Sequence, residues 1–151
     1  MDIDRNAVLS LWRDVLAGTV RSDSPDLSAR QMAILTSVYL TPPPHTVRGL
    51  AEELNVGKPA VTRALDTLSS YNLLKRGRDP NDGRNVLVQR TVRGSVFLTE
   101  LGDRIVDAWT QLAKTNVETA QRAMSDVSRR SETSAADEPG AEEAGGARSV
   151  A

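Results

Sequence analysis

Residues 46–70 read TVRGLAEELNVGKPAVTRALDTLSS, and the spacing of apolar residues on either side of a short break decides the fold. Thr46 is a residue type that caps helix N-termini, and the helix it opens runs through Leu54. Asn55, Val56 and Gly57 then make a turn, since Asn and Gly tolerate left-handed backbone angles. A second helix opens near Lys58, with Pro59 in its first turn, where the missing N–H would be unpaired anyway. Leu50, Leu54, Val56, Val61 and Ala64 fall where two crossed helices need interior residues, and Ala51 is small where they approach closest. Two short helices joined in this way form a helix-turn-helix.

At about 100° per residue, Val61, Ala64, Leu65 and Leu68 share one side of the second helix, so the opposite side shows Pro59, Thr62, Arg63 and Asp66. Arg63 is able to form paired hydrogen bonds to guanine, and Thr62 to meet a base or a phosphate, which suits both to a major groove. Lys58, beside the N–H groups at the helix start, suits a phosphate. The plainer reading of the same face is a solvated surface on which Arg63 pairs with Asp66 three residues on.

Upstream, Val8, Leu11, Trp12, Val15 and Leu16 form an apolar stripe on a helix over residues 4–20, for which Gly18 marks an end. A further helix begins at Ser28, a candidate cap, and stops before Pro42, Pro43 and Pro44. His45 follows the prolines and is expected to be a solvated loop residue. Downstream, RDPNDGRNVLVQR (residues 78–90) carries a turn at Asp82 and Gly83. Val86 and Val88 then keep one face of a return strand on the body, which leaves Arg84, and with it Arg78, projecting from a hairpin.

LAEELNV at 50–56, VTRALDTL at 61–68, NLLKR at 72–76 and DPNDGR at 79–84, with Leu35 in the preceding helix, occur in an order that resembles the MarR family of winged helix-turn-helix transcription regulators. The resemblance covers residues 28–112. It implies a mainly α fold with a small β-hairpin, a homodimer on double-stranded DNA, recognition helices in successive major grooves of a pseudo-palindromic site, and wings in the flanking minor grooves. Carried over by motif, Arg84 is the wing arginine in the minor groove, and Asp82 is the carboxylate that holds it. A narrow minor groove has an enhanced negative potential that favours such an arginine. Two positions depart from the pattern. Gly57 and Lys58 stand where the family often has a capping serine, and Arg90 stands where an apolar residue often precedes the threonine.

Phe97, Leu101, Ile105, Trp109, Val117, Ala120 and Met124 recur at steps of three and four residues, with Leu112 or Ala113 continuing the series, too long a stripe for one small winged domain to cover. A dimer whose first and last helices (about 4–20 and 95–128) flank a DNA-binding part (about 28–93) accounts for the excess, with Trp12 and Trp109 in the interface. An ordinary core within one chain is the alternative. Residues 131–151 have no Leu, Ile, Phe or Trp and five acids against Arg148, and are expected to form a disordered acidic tail beyond the domain of residues 1–130. Residues 45–93 hold nine basic side chains against five acidic ones, so the tail masks a basic middle in a chain whose net charge is -1.

The 151-residue chain has no cysteine and one histidine, which excludes thiol chemistry and cysteine-ligated metal and leaves no support for an enzyme, a metal site or a cofactor. No apolar run is long enough to cross a bilayer, and a cytoplasmic location is expected. The leading function is a sequence-specific DNA-binding regulator, a homodimeric repressor, with Lys58, Pro59, Thr62, Arg63, Arg78, Asp82 and Arg84 at the DNA. The resemblance also implies release by a small-molecule ligand, for which Trp12, Tyr39, His45 and Trp109 are the residues to watch, each with a core or loop role as the alternative. The competing function is a winged-helix protein-interaction module without DNA binding. The retained basic residues argue against it.

Overall fold

The computed structural model describes residues 4–135, and side-chain surroundings for residues 4–130. In chain order the elements are α1 (Arg5–Arg21), α2 (Ala29–Leu40), β1 (His45–Thr46), α3 (Val47–Glu53), α4 (Lys58–Ser70), β2 (Leu74–Arg78), β3 (Val86–Arg90) and α5 (Val92–Ala135). They divide into two units at residue 110, the first holding everything from α1 to the first part of α5. In the second unit, α5 has a half-buried Leu112 and exposed side chains from there to residue 130. The helix runs to Ala135, so it includes the first residues assigned to the acidic tail; residues 136–151 of that tail lie outside the described residues.

Helix starts follow the local chemistry. Ser28 forms a full capping box, with the Gln31 N–H donating to Ser28 Oγ (3.3 Å) and the Ser28 N–H donating to Gln31 Oε1 (2.8 Å). Thr46 Oγ1 accepts the Gly49 N–H at 3.0 Å and so caps α3. Asn55 alone takes the left-handed conformation in the turn between α3 and α4 (φ 49°), while Gly57 is extended and serves as the N-cap of α4. Asn72 repeats the device after α4 (φ 56°), where the Leu73 N–H returns to the Leu68 carbonyl (2.9 Å).

Two expectations change here. α1 does not end at Gly18 but continues to Arg21, where Ser22 caps it by donating from both N–H and Oγ to the Thr19 carbonyl. A mid-helix glycine costs only about 1 kcal/mol, which does not by itself end a helix. His45 is not a solvated loop residue: it is 8% exposed and sits in β1 opposite Val88. Chain that leaves a proline run extended is already shaped to join a strand edge. The hairpin is therefore part of a three-stranded antiparallel sheet of order β1-β3-β2.

The core joins Ile34, Leu35 and Val38 of α2, Leu50 and Ala51 of α3 and Val61, Ala64, Leu65 and Leu68 of α4, and is closed by Leu73, Leu74, Val88 and Phe97. Each fully buried branched side chain stabilises by roughly 1.5–3 kcal/mol relative to exposure. In the wing, Val88 is buried as expected, but Val86, nearer the tip, is 41% exposed because the sheet has left the body by that point.

Among the described glycines, Gly94, in the first turn of α5, has the least room for a side chain. A Cβ there would overlap the Tyr39 hydroxyl and the Leu73 carbonyl oxygen and would lie 2.7 Å from Tyr39 Cζ. At Gly102, on the same helix, a Cβ meets nothing within 4 Å. Gly94→Ala is expected to lower the unfolding free energy by about 2–4 kcal/mol through overpacking and a displaced hydroxyl. Gly102→Ala should instead raise it by about 0.5–1 kcal/mol. Urea denaturation of the two variants checks the opposite signs.

Candidate nucleic-acid interface

The buried face of α4 (Val61, Ala64, Leu65, Leu68) fixes the rotation of the helix and leaves Lys58, Pro59, Thr62, Arg63 and Asp66 exposed. The two faces are those expected from the spacing. Asp66 does not pair with Arg63: its Oδ1 lies 2.6 Å from Arg76 Nη2 on β2. Among the described residues no ion pair forms at Lys58, Arg63, Arg78 or Arg84.

A cleft of about 430 Å³ between α3, α4 and the wing is lined by Thr46, Val47, Arg48, Lys58, Thr62, Arg84, Asn85 and Val86. It unites the phosphate, base and wing candidates Lys58, Thr62 and Arg84, while Pro59, Arg63, Arg78 and Asp82 do not line it. Arg48 is an addition that sequence reasoning missed. Its Nε donates to Glu52 Oε1 at 2.9 Å, one helical turn on, and that hydrogen bond, with the carboxylate's charge, raises the guanidinium above its ordinary value. The available signal was its place near the start of α3, with an acid four residues later, but only the fold puts it on the same cleft as Arg84.

The polar groups have definite capacities. Thr62 Oγ1 donates to the Lys58 carbonyl (3.0 Å), so in this rotamer its hydroxyl is left to accept hydrogen bonds. At the start of α4 there is no side-chain cap; Pro59 has no N–H, and the Ala60 and Val61 N–H groups reach the Gly57 carbonyl at 2.9 and 3.3 Å. The N–H of Lys58 is left free for an anion beside its own ammonium group.

Asp82 bonds Arg84 through the backbone: its Oδ1 accepts the N–H of Arg84 at 3.0 Å, and Asn85 Nδ2 donates to Oδ2 at 3.5 Å, so the carboxylate shapes the turn from which Arg84 projects. Asp79 does the same at the other end, accepting the Asn81 N–H at 2.8 Å, while its own N–H meets the Asn85 carbonyl at 3.2 Å. These turns brace the seven-residue link between the wing strands.

The four ligand candidates do not meet at one place described by the structure. Tyr39 Oη accepts the Thr91 N–H (2.8 Å) and donates to the carbonyl of Leu73 or Thr91 (each 2.9 Å), a structural joint. His45 is buried with Nε2 unpaired, and Trp12 and Trp109 are half exposed, at 52% and 50%. A separate cavity of about 290 Å³ lies among the α1–α2 connection, Leu73 and the start of α5, and none of the four lines it. Arg93, Glu100 and Arg104 line it opposite Ser22, Asp23 and Ser24, and Arg104 Nη1 is buried without a partner.

Residues 27–86 match the family model described as MarR family. No curated protein sequence matches the chain. Among solved structures, a transcriptional regulator from Thermotoga maritima is similar over 85% of this chain and 93% of its own, at 18% identity and a TM-score of 0.61. A mutant of MarR from E. coli is similar over 84% and 98%, at 25% identity and a TM-score of 0.57. The same mutant complexed with operator DNA is similar over 82% and 86%, at 26% identity and a TM-score of 0.54.

The unpaired Arg104 nitrogen generates a stability prediction. Arg104→Met removes a buried unsatisfied donor and keeps most of the volume, so it should stabilise by about 1 kcal/mol. Denaturant midpoints report the change, and a loss of stability would show that the guanidinium has a partner in solution.

Proposed function

We propose, from the match of residues 27–86 to the MarR family model, that the chain is a homodimeric, sequence-specific DNA-binding repressor that occupies a promoter site. The observation that carries this reading is the cleft that brings Arg48, Lys58, Thr62 and Arg84 together, with Arg63 on the same exposed helix and free of Asp66. Arg63 and Thr62 of α4 take base edges in the major groove. Lys58 and Arg48 take phosphates, and Arg84 enters the minor groove. None of this needs a metal, a cofactor or a catalytic group.

The homodimer is supported by the apolar residues that α1 and α5 leave exposed. On α1 these include Val8, Trp12, Leu16 and Val20; on α5 they include Ile105, Trp109, Val117 and Met124. A second copy is the simplest cover for a stripe repeated on both helices. Release by a small molecule is a further part of the proposal, and the 290 Å³ cavity supports it better than the four residues singled out from sequence. A ligand acceptor placed there would satisfy Arg104 Nη1.

The deciding experiment is an anisotropy titration of duplexes selected from a random library, and of the protein's own promoter region, at several salt concentrations. Failure to bind any duplex above non-specific DNA sinks the proposal. Arg84→Ala should weaken binding and reduce the salt slope by about one, whereas Arg63→Ala should also relax preference at one base position, a loss of about 1–3 kcal/mol of discrimination. Equal losses on all sequences for both variants would place Arg63 on phosphate alone.

For the assembly, light scattering at micromolar concentration should report a dimer. Trp12→Glu combined with Trp109→Glu should shift it to monomer. A wild-type monomer would refute the dimer while leaving the titration to judge DNA binding.

A further inference from the structure

Arg90, at the end of β3, reaches back across the fold to the end of α2. The last carbonyls of a helix await N–H groups four residues on, and for Val38, Tyr39 and Leu40 those residues are Pro42, Pro43 and Pro44, which have none. The Ser37 carbonyl is served by the Thr41 N–H (3.1 Å) and Thr41 Oγ1 (2.7 Å). The Val38 carbonyl is served from across the fold, by Arg90 Nε at 2.8 Å, and Arg90 Nη2 reaches the Thr41 carbonyl at 2.8 Å. The guanidinium carbon also stands 5.8 Å from the centroid of the Tyr39 ring. A cation at the negative end of a helix, forming two charge-assisted bonds through a planar fork, fixes direction as well as distance.

Arg90 pairs with Leu74 at the base of the β2–β3 hairpin. On its other side β3 is tied to β1 by only two pairs, His45 with Val88 and Thr46 with Leu87. Arg84 lies up to about 20 Å along the wing from Arg90 at strand rise, so a swing of about 10° at the base moves it by about 3.5 Å. That exceeds the tolerance of a hydrogen bond, which is a few tenths of an ångström. A restraint at the base therefore controls what the tip can touch.

We propose that Arg90 is a positioning residue for the wing: it replaces the donor that Pro42 lacks at the end of α2, ties the Thr41 carbonyl beside it, and so holds Arg84 at a fixed reach from α4. This rests on the reading of Arg84 as a DNA contact. The chain has no cysteine, so Gly83→Cys and Ser70→Cys introduce the only two labelling sites, one at the wing tip and one at the end of α4. A Cβ at Gly83 meets nothing within 4 Å, and Ser70 is exposed.

Electron–electron distance measurements on spin-labelled full-length chain, diluted with unlabelled chain, are compared for Arg90, Arg90→Lys and Arg90→Met, well below each melting temperature. The width of the tip-to-helix distribution should at least double in Arg90→Met, with Arg90→Lys between. On a selected duplex, Arg84→Ala should weaken binding about ten-fold beside Arg90 and less than three-fold beside Met, a coupling that a loss of stability alone does not produce. An unchanged distance width, or the same Arg84→Ala penalty in both backgrounds, overturns the proposal. If Arg90→Met does not fold, Arg90→Lys is judged by the same two readouts. If the wild-type chain prefers no duplex, the DNA reading falls, and the distances, which need no DNA, still decide the role of Arg90.

Discussion

The phenol hydroxyl of Tyr39 is the joint on which the relative placement of the first unit's elements depends. It accepts the Thr91 N–H, and it has one proton to give to the carbonyl of Leu73 or of Thr91. Leu73 follows α4 and leads into β2, while Thr91 follows β3 and leads into α5. One oxygen atom at the end of α2 thus sits between the exit of α4 and the two ends of the wing. The joint closes only because Gly94 has no side chain to obstruct it. Thr91 adds a second tie, donating from Oγ1 to the Asn72 carbonyl at 2.7 Å and accepting the Gly94 N–H at 3.0 Å. The start of the wing and the end of α4 are consequently not free to move apart without breaking several buried or half-buried bonds at once.

Within that frame, the electrostatics of the exposed face follow from where the acids are used. A carboxylate pointing at a phosphate backbone repels it, and α4 carries Asp66 on its outer side. Arg76 lies against that carboxylate at 2.6 Å, which neutralises it locally and also links β2 to α4. Asp79 and Asp82 are likewise turned inward to backbone N–H groups of their own loop. Glu52 is held by Arg48. Exposed pairs of this kind contribute little to stability, about 0–1 kcal/mol. Their effect is on the field: the acids nearest the cleft are each engaged, whereas Lys58, Arg63 and Arg84 keep their charge directed outward.

How much of this was legible in the sequence depended on the distance between interacting partners along the chain. Ser28 and Thr46 act on N–H groups three residues ahead, so both caps could be read directly. The two faces of α4 follow from helical periodicity, and all four residues assigned to its inner face are buried. His45 could not be read, because its burial depends on pairing with Val88, forty-three residues later. Arg48 could not be placed because it comes to the same cleft as Arg84, thirty-six residues later, only through the fold. Asp82 lies two residues before Arg84 and reaches its backbone N–H, a tie short enough along the chain to be read locally. Arg90 was noticed as an anomaly, but its partners, Val38 and Thr41, lie 52 and 49 residues away.

The same distinction bears on α1. Its 17 residues include a single buried one, Val15, although the helix presents Val8, Leu9, Leu11, Trp12, Leu16 and Val20 besides. An isolated helix of about this length is marginal in water even for favourable sequences, and most helical stability in proteins comes from packing an apolar face. One buried valine does not supply such a face. The first unit therefore leaves much of the apolar surface of α1 uncovered. Trp109, half exposed on α5, is in the same position, which is the observation that the proposed second copy rests on.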